Sequence, residues 1–288
     1  MKLIKKLFVL IIICVLCVLL YCIFRNNIQE GMSETIPKKI WTFWEGEQNH
    51  FVDKCIDSWK KHNPDCEVIV LNKTNIQEYL PELKIDKLKH VGDIRHFSDV
   101  IRVFILAKYG GIWSDASIIC YDSYDWIFEL QKEKQVEFIG YWINDDNKES
   151  PIIENWFFAC IPNSTMVNDW KDSLMISQKY ENKDEYIDFL KTKCDLDVIE
   201  SPDYLWMHSA LQNILQNNKN KYKYEVFSAH DGPFKYTYEN DWNASKSIDS
   251  LIKCNAESNC KEKYNSFVKL NGYIRGEVNA TNENKIIS

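Results

Sequence analysis

Residues 109–117 read Tyr-Gly-Gly-Ile-Trp-Ser-Asp-Ala-Ser. Two consecutive glycines mark a turn, so Tyr109 closes one element and Ile112 opens the next. Upstream, Ile94 to Tyr109 (IRHFSDVIRVFILAKY) carries Val100, Val103, Phe104 and Leu106 at helical spacing and predicts a helix. Ile112 and Trp113 predict a short strand that delivers the carboxylate of Asp115 at its tip. In open α/β sheets, ligands bind beyond the carboxyl ends of strands. A carboxylate there can hold a hard divalent cation, and such a cation neutralises charge on a diphosphate leaving group.

The flanking sequence supplies the rest of the sheet. Lys38 to Trp44 (KKIWTFW) suits a strand ending at Glu45-Gly46, and Phe51 to His62 places Phe51, Cys55, Ile56 and Trp59 at helical spacing before Asn63-Pro64. Glu67 to Leu71 (EVIVL) suits a second buried strand. Strand, helix and strand in this order predict a βαβ unit and a largely parallel sheet, hence an α/β fold. Phe138 to Trp142 and Trp156 to Cys160 predict further strands; Met166 to Ser177 and Tyr204 to Gln216 predict helices. From about Lys246 the chain is polar and irregular, which predicts a loosely packed C-terminal extension.

On the helix from Ile94, the spacing of Arg95, Asp99 and Arg102 puts all three on one face. Arg95 and Asp99 suit either a surface ion pair worth well under ~1 kcal/mol or part of a site. Trp44 follows Trp41 and Phe43, so its ring suits either a core or a ligand platform. His208, four residues after Tyr204 on an apolar helix, reads as a core histidine or a ligand, and Asp231 before Gly232-Pro233 is ordinary turn chemistry or a ligand.

The chain has 288 residues, room for one catalytic domain with short appendages. Its net charge of -7 gives no basic footprint for nucleic acid. An acidic protein that handles anionic nucleotides needs a metal or local arginines. The uncharged run from Leu7 to Phe24 would be about 27 Å long as a helix, close to the thickness of a bilayer core. Lys2, Lys5 and Lys6 precede it and only Arg25 follows closely, which predicts a cytosolic N-terminus. No small-residue cleavage site follows the run, so it reads as an uncleaved anchor. Of the ten cysteines, Cys14, Cys17 and Cys22 fall in that run. Cys254 and Cys260 flank a short polar loop and suit a disulfide in an oxidising compartment, while the others read as buried thiols. Sequons at Asn72, Asn163, Asn243 and Asn279 agree weakly with a lumenal or extracytoplasmic location, Golgi- or ER-like if the source is eukaryotic.

The pairing of Ser98-Asp99-Val-Ile-Arg102 with Tyr109-Gly-Gly-Ile-Trp-Ser-Asp115-Ala-Ser117 resembles the sugar-binding region of the DXD glycosyltransferases, and most nearly the capsular polysaccharide synthesis proteins. The initiating mannosyltransferases of yeast type and the large glucosylating toxins are more distant relatives by the same resemblance. Ile36-Pro-Lys-Lys-Ile-Trp-Thr-Phe-Trp44 is similar to the family's opening strand. Glu154-Asn-Trp-Phe-Phe-Ala159, Asp203-Tyr-Leu-Trp-Met-His208 and Gly232-Pro233 fit later motifs more loosely, so the resemblance spans about Ile36 to Tyr238.

The resemblance implies a nucleotide-diphospho-sugar transferase of GT-A fold, a central mixed sheet flanked by helices. Residues 1–6 would form a cytosolic tail, 7–24 a transmembrane helix, 25–36 a stem, 37–245 the transferase domain and 246–288 the extension. It implies that Trp44 stacks on the base, that Asp99 and Arg102 bind the donor, and that Asp115 and Asp203 act in catalysis. Mn²⁺ or Mg²⁺ would sit at Asp115 and Ser117, completed by His230 or Asp231. The implied reaction moves a hexosyl group from a nucleotide-diphosphate sugar to a glycan or glycoconjugate hydroxyl, with retention. Ser117 departs from the usual second aspartate, and a hydroxyl is a weaker ligand for a hard cation. That departure keeps two alternatives open, a degenerate glycan- or partner-binding protein and a nucleotide-sugar hydrolase.

Overall fold

A computed structural model describes residues 34–47, 49–143 and 150–287. The expected tail, the anchor with its three cysteines and most of the stem lie outside the described residues. Among those described, no helix is long and apolar enough to cross a membrane.

The first elements are β1 (Lys39–Phe43), α1 (His50–His62) and β2 (Glu67–Leu71). The two strands pair in parallel, with Ile40 opposite Val68 and Phe43 opposite Leu71, as the βαβ pattern predicts. α1 begins where the Asn49 side chain accepts the N–H groups of Phe51 and Val52, and it buries Phe51, Cys55, Ile56 and Trp59.

α2 (Ile94–Tyr109) leads through Gly110 into β3 (Gly111–Ser114). The two glycines sit at φ 61° and 98°. A Cβ on Gly110 would lie 2.5 Å from the Pro162 nitrogen, and one on Gly111 would lie 2.8 Å from the Lys39 carbonyl oxygen. Neither the backbone angles nor the space admits a larger residue. The Trp41 indole donates to the Gly110 carbonyl at 3.0 Å and ties β1 to this turn.

β4 (Ile118–Cys120), α3 (Asp125–Lys134), β5 (Phe138–Trp142), β6 (Ile153–Cys160), α4 (Thr165–Met175), α5 (Lys183–Lys191), α6 (Trp206–Asn217) and β7 (Tyr224–Ser228) follow. Among the described residues the main sheet has six strands in the order β2-β1-β3-β6-β5-β7. β6 runs antiparallel to both of its neighbours, and the other pairs are parallel. Both faces of this mixed sheet are covered. Side chains alternate between faces along a strand, so Trp113 and Phe158 enter one apolar cluster with Val100, Val103 and Trp170. Ile112, Phe157 and Ala159 enter the other, with Ile40, Ile56 and Trp59.

The C-terminal residues correct the sequence reading. They are not loose: α7 (Ala244–Ala256), α8 (Cys260–Tyr264), β8 (Phe267–Lys269) and α9 (Gly272–Gly276) pack against the rest. β8 pairs antiparallel with β4, placing Lys269 opposite Ile118 and Phe267 opposite Cys120. Ile248, Leu251, Cys254, Val268 and Ile274 share a third apolar cluster with Phe51 and Ile119. α7 buries only Ser247, Ile248, Leu251 and Cys254, a narrow stripe diluted by polar neighbours. Cys254 and Cys260 form the expected disulfide. Cys55, Cys120 and Cys160 are buried thiols as expected, whereas Cys66 and Cys194 are only partly buried.

Candidate active site

The carboxyl ends of β1 and β3, one face of α2, the start of α6 and the segment after β8 enclose a cleft of about 500 Å³. Trp44, Asp99, Arg102, Asp115 and Ser117 all line it. Strand β3 ends at Ser114, so the chain leaves the sheet at Asp115 and points its carboxylate into the cleft, as the motif predicts.

Asp115 stands at the centre of a charged cluster. The Trp113 indole donates to its Oδ1 at 3.0 Å. Lys269 Nζ donates to its Oδ2 at 2.9 Å and to Ser117 Oγ at 2.8 Å. Ser117 Oγ donates in turn to the Leu270 carbonyl at 2.8 Å. Arg102 Nη2 lies 3.5 Å from Asp115 Oδ1 and 3.4 Å from Asp99 Oδ1, so one guanidinium bridges both carboxylates. Its Nη1 donates to the Asn155 carbonyl at 2.7 Å, and its plane lies 5.1 Å over the Trp113 ring. Burial alone would push the Asp115 carboxyl up, but Lys269 and Arg102 outweigh it and hold it below the usual carboxylate range. Asp99 is fixed from the other side by the Trp206 indole at 3.0 Å and the Asn155 side-chain amide at 3.2 Å.

Other predicted residues are placed differently, although Arg95 and His208 still line the cleft. Asp203 is exposed in the turn before α6 and does not line the cleft. Within its motif, Tyr204, Leu205, Met207 and His208 supply the lining. His208 is buried, with Nε2 3.6 Å from Glu154 Oε2. Arg95 pairs with Asp93 rather than with Asp99, and its guanidinium lies 5.2 Å over the Tyr204 ring. His230 stacks on Tyr238 at 4.5 Å, Asp231 is exposed, and neither reaches the cleft.

These placements decide how well a divalent metal fits. Among the described residues, no three His, Cys, Asp or Glu side chains gather to hold one. The two expected oxygen ligands that do meet, on Asp115 and Ser117, both accept hydrogen bonds from the Lys269 ammonium. A divalent ion would have to displace the ammonium from both oxygens and would then face its positive charge at close range. The residues as arranged do not fit a divalent metal.

Sequence reasoning missed Lys269, Trp206 and Asn155. The last two lie inside quoted motifs, but nothing local shows that both reach Asp99. Lys269 had one signal, a lone lysine within the apolar run Phe267-Val-Lys-Leu270.

The chain belongs to the capsular polysaccharide synthesis protein family, whose model matches residues 22–270. No curated protein matches it significantly. Among solved structures it is similar to the PaToxG glycosyltransferase, at 13% identity over 88% of this chain and 84% of that one, with a TM-score of 0.40. It is also similar to the glycosyltransferase GlyE of Streptococcus pneumoniae TIGR4, at 11% identity and a TM-score of 0.44, over 82% of this chain and 55% of that one. A third is the catalytic domain of alpha-toxin from Clostridium novyi, at 11% identity and a TM-score of 0.36, over 88% of this chain and 78% of that one.

Proposed function

We propose that this protein is a GT-A-type glycosyltransferase that moves a hexosyl group from a nucleotide-diphosphate sugar to a hydroxyl of a glycan or glycoconjugate. The observation that carries this reading is the convergence of Asp99, Arg102 and Asp115 on one cleft that the half-buried Trp44 also lines. An aromatic face suits the base. Arg102 suits the phosphates, and the two carboxylates suit hydroxyl groups of the sugar and ribose. Membership of a polysaccharide-synthesis family supports the same chemistry.

In the reaction, the acceptor hydroxyl oxygen forms a bond to the anomeric carbon. The bond from that carbon to the β-phosphate oxygen breaks, and its electron pair stays on the phosphate. The hydroxyl proton passes to the departing diphosphate. Retention of configuration is proposed by analogy with the family resemblance alone. The divalent metal is left out of the proposal because its ligands do not assemble.

The uncharged run over residues 7–24 supports a type II membrane anchor, with the catalytic domain outside the cytosol. The Cys254–Cys260 disulfide fits an oxidising compartment. Release from membranes by detergent but not by salt or alkali checks the anchor.

The test of function gives full-length protein, in detergent, a panel of nucleotide-diphosphate sugars with and without acceptor glycans. Acceptor-stimulated release of one nucleoside diphosphate is expected, with a loss of at least ~100-fold in Asp115→Ala. Release indifferent to acceptor would make the protein a nucleotide-sugar hydrolase. Binding without release would make it a binding protein. Unchanged turnover in Asp115→Ala would remove the site assignment.

A further inference from the structure

We infer that the Lys269 ammonium takes the place of a divalent cation in this cleft, receiving the donor's phosphate oxygens together with Arg102 and Arg275. The inference rests on the nucleotide-sugar reading of the cleft and adds to it that the diphosphate departs against protein cations rather than a metal.

Three observations carry it. The first is position. The ammonium touches both Asp115 and Ser117, the residues that the sequence motif assigns to a cation. It lines the same cleft as Arg102 and Arg275.

The second is how firmly the chain holds it there. The Lys269 backbone N–H donates to the Pro233 carbonyl at 3.1 Å, and the Leu270 N–H donates to the Ser117 carbonyl at 3.0 Å. The Tyr236 hydroxyl donates to the Lys269 carbonyl at 3.0 Å. The Gly232-Pro233 segment therefore fixes the backbone of a lysine instead of contributing His230 or Asp231 to a metal. The fold has built a seat for this side chain.

The third is donor and charge count. An ammonium has three N–H donors. Asp115 and Ser117 take two, and among the described residues the third has no acceptor. Asp99 and Asp115 are balanced by Arg102 and Lys269. The rest of the lining adds Glu45 on the negative side and Arg95 and Arg275 on the positive, which leaves one positive charge in excess. A diphosphate entering the cleft meets an uncommitted N–H and a surplus of positive charge. In a partly water-excluded cleft these attractions are stronger than in bulk water, and lysine is an effective point-charge partner for phosphate.

The test measures binding of UDP, GDP, ADP and CDP to full-length protein in detergent, in EDTA and then in Mn²⁺. Wild type, Lys269→Met and Lys269→Arg are compared, with circular dichroism reporting the fold of each. The best nucleoside diphosphate should bind wild type equally in EDTA and in Mn²⁺, within about twofold. Lys269→Met should weaken that binding at least ~10-fold, the loss of one charge-assisted contact. It should leave binding of the corresponding nucleoside unchanged, and Lys269→Arg should retain most diphosphate affinity. Binding abolished by EDTA and restored by Mn²⁺ would overturn the inference on the wild-type protein alone, whatever the variants do, and leave the glycosyltransferase reading intact. Diphosphate affinity unchanged in a folded Lys269→Met would overturn it too. Failure of folded wild type to bind any of the four nucleotides would overturn both readings together.

Discussion

The Trp206 indole, at the first position of α6, donates to the Asp99 carboxylate at 3.0 Å, in a buried contact. Arg102 holds the other carboxylate oxygen. Asp99 is thus aimed from two helices, and its orientation depends on a residue that lies outside the cleft lining. Trp206→Phe keeps an aromatic ring but removes both the donor and part of the buried bulk. Folding stability should fall by about 2 kcal/mol in urea unfolding, the range for hydrogen bonds to charged groups. The donor KM should rise severalfold. Unchanged values of both would show that Asp99 does not depend on Trp206.

Gly110 and Gly111 hold the turn that aims Asp115. Gly110→Ala should lower stability by more than ~1 kcal/mol, because both the left-handed angle and the Pro162 backbone oppose a Cβ. Gly272 offers a control in the same protein, since no atom lies within 4 Å of a Cβ placed there. Gly272→Ala should stay within about 0.5 kcal/mol of wild type. Equal effects at the two positions would refute the steric account of the turn.

The Cys254–Cys260 disulfide closes a short loop, the two residues being six apart in sequence. On the chain-entropy model a loop of that size stabilises by about 2 kcal/mol. Wild type should lose that amount on reduction by dithiothreitol. The Cys254→Ser, Cys260→Ser double variant should start from the lower value and not respond to reductant. A double variant as stable as oxidised wild type would contradict the assignment.

Asp93 caps α2 by accepting the Arg95 N–H. Hydrogen bonds from the Arg95 side chain, then from its backbone, hold the Asp93 carboxyl well below the usual carboxylate range. A carboxyl depressed in the folded state stabilises fully above its unfolded pKa, about 3.9, and loses that contribution as pH falls toward the folded value. Asp93→Ala should cost about 1 kcal/mol at pH 7, the usual worth of an N-cap. The gap between wild type and variant should narrow below about pH 4. A gap constant from pH 7 to pH 2 would assign the effect to something other than this carboxylate.

Local pattern reached far into this fold and then stopped at pairings between distant segments. The βαβ opening, the helix from Ile94 and the turn at Gly110 each follow from spacing within a short window. The meeting of Asp99, Arg102 and Asp115 is implied by the family resemblance, since helical spacing alone groups Arg95 with Asp99 and Arg102, and Arg95 pairs with Asp93 instead. Lys269 lies 154 positions from the carboxylate it holds, and the β4–β8 ladder with the Pro233 and Tyr236 contacts brings them together. Nothing in either three-residue strand names its partner. The motif assigns Asp203 to the site, yet the turn before α6 exposes it while Trp206, three residues on, is buried. His230 failed for a similar reason: its ring finds a better surface on Tyr238 than in the cleft.

The late position of β8 bears on how the protein is made. A ribosome completes Asp115, its helix and its turn long before it reaches Lys269. Until then the two cleft carboxylates have Arg102 alone for balance, and Ser117 lacks both its donor and its acceptor. A product terminated between residues 229 and 267 keeps every strand of the main sheet but lacks the residue that completes the cluster. Without β8 the cluster around Asp115 therefore stays incomplete, however well the main sheet has formed.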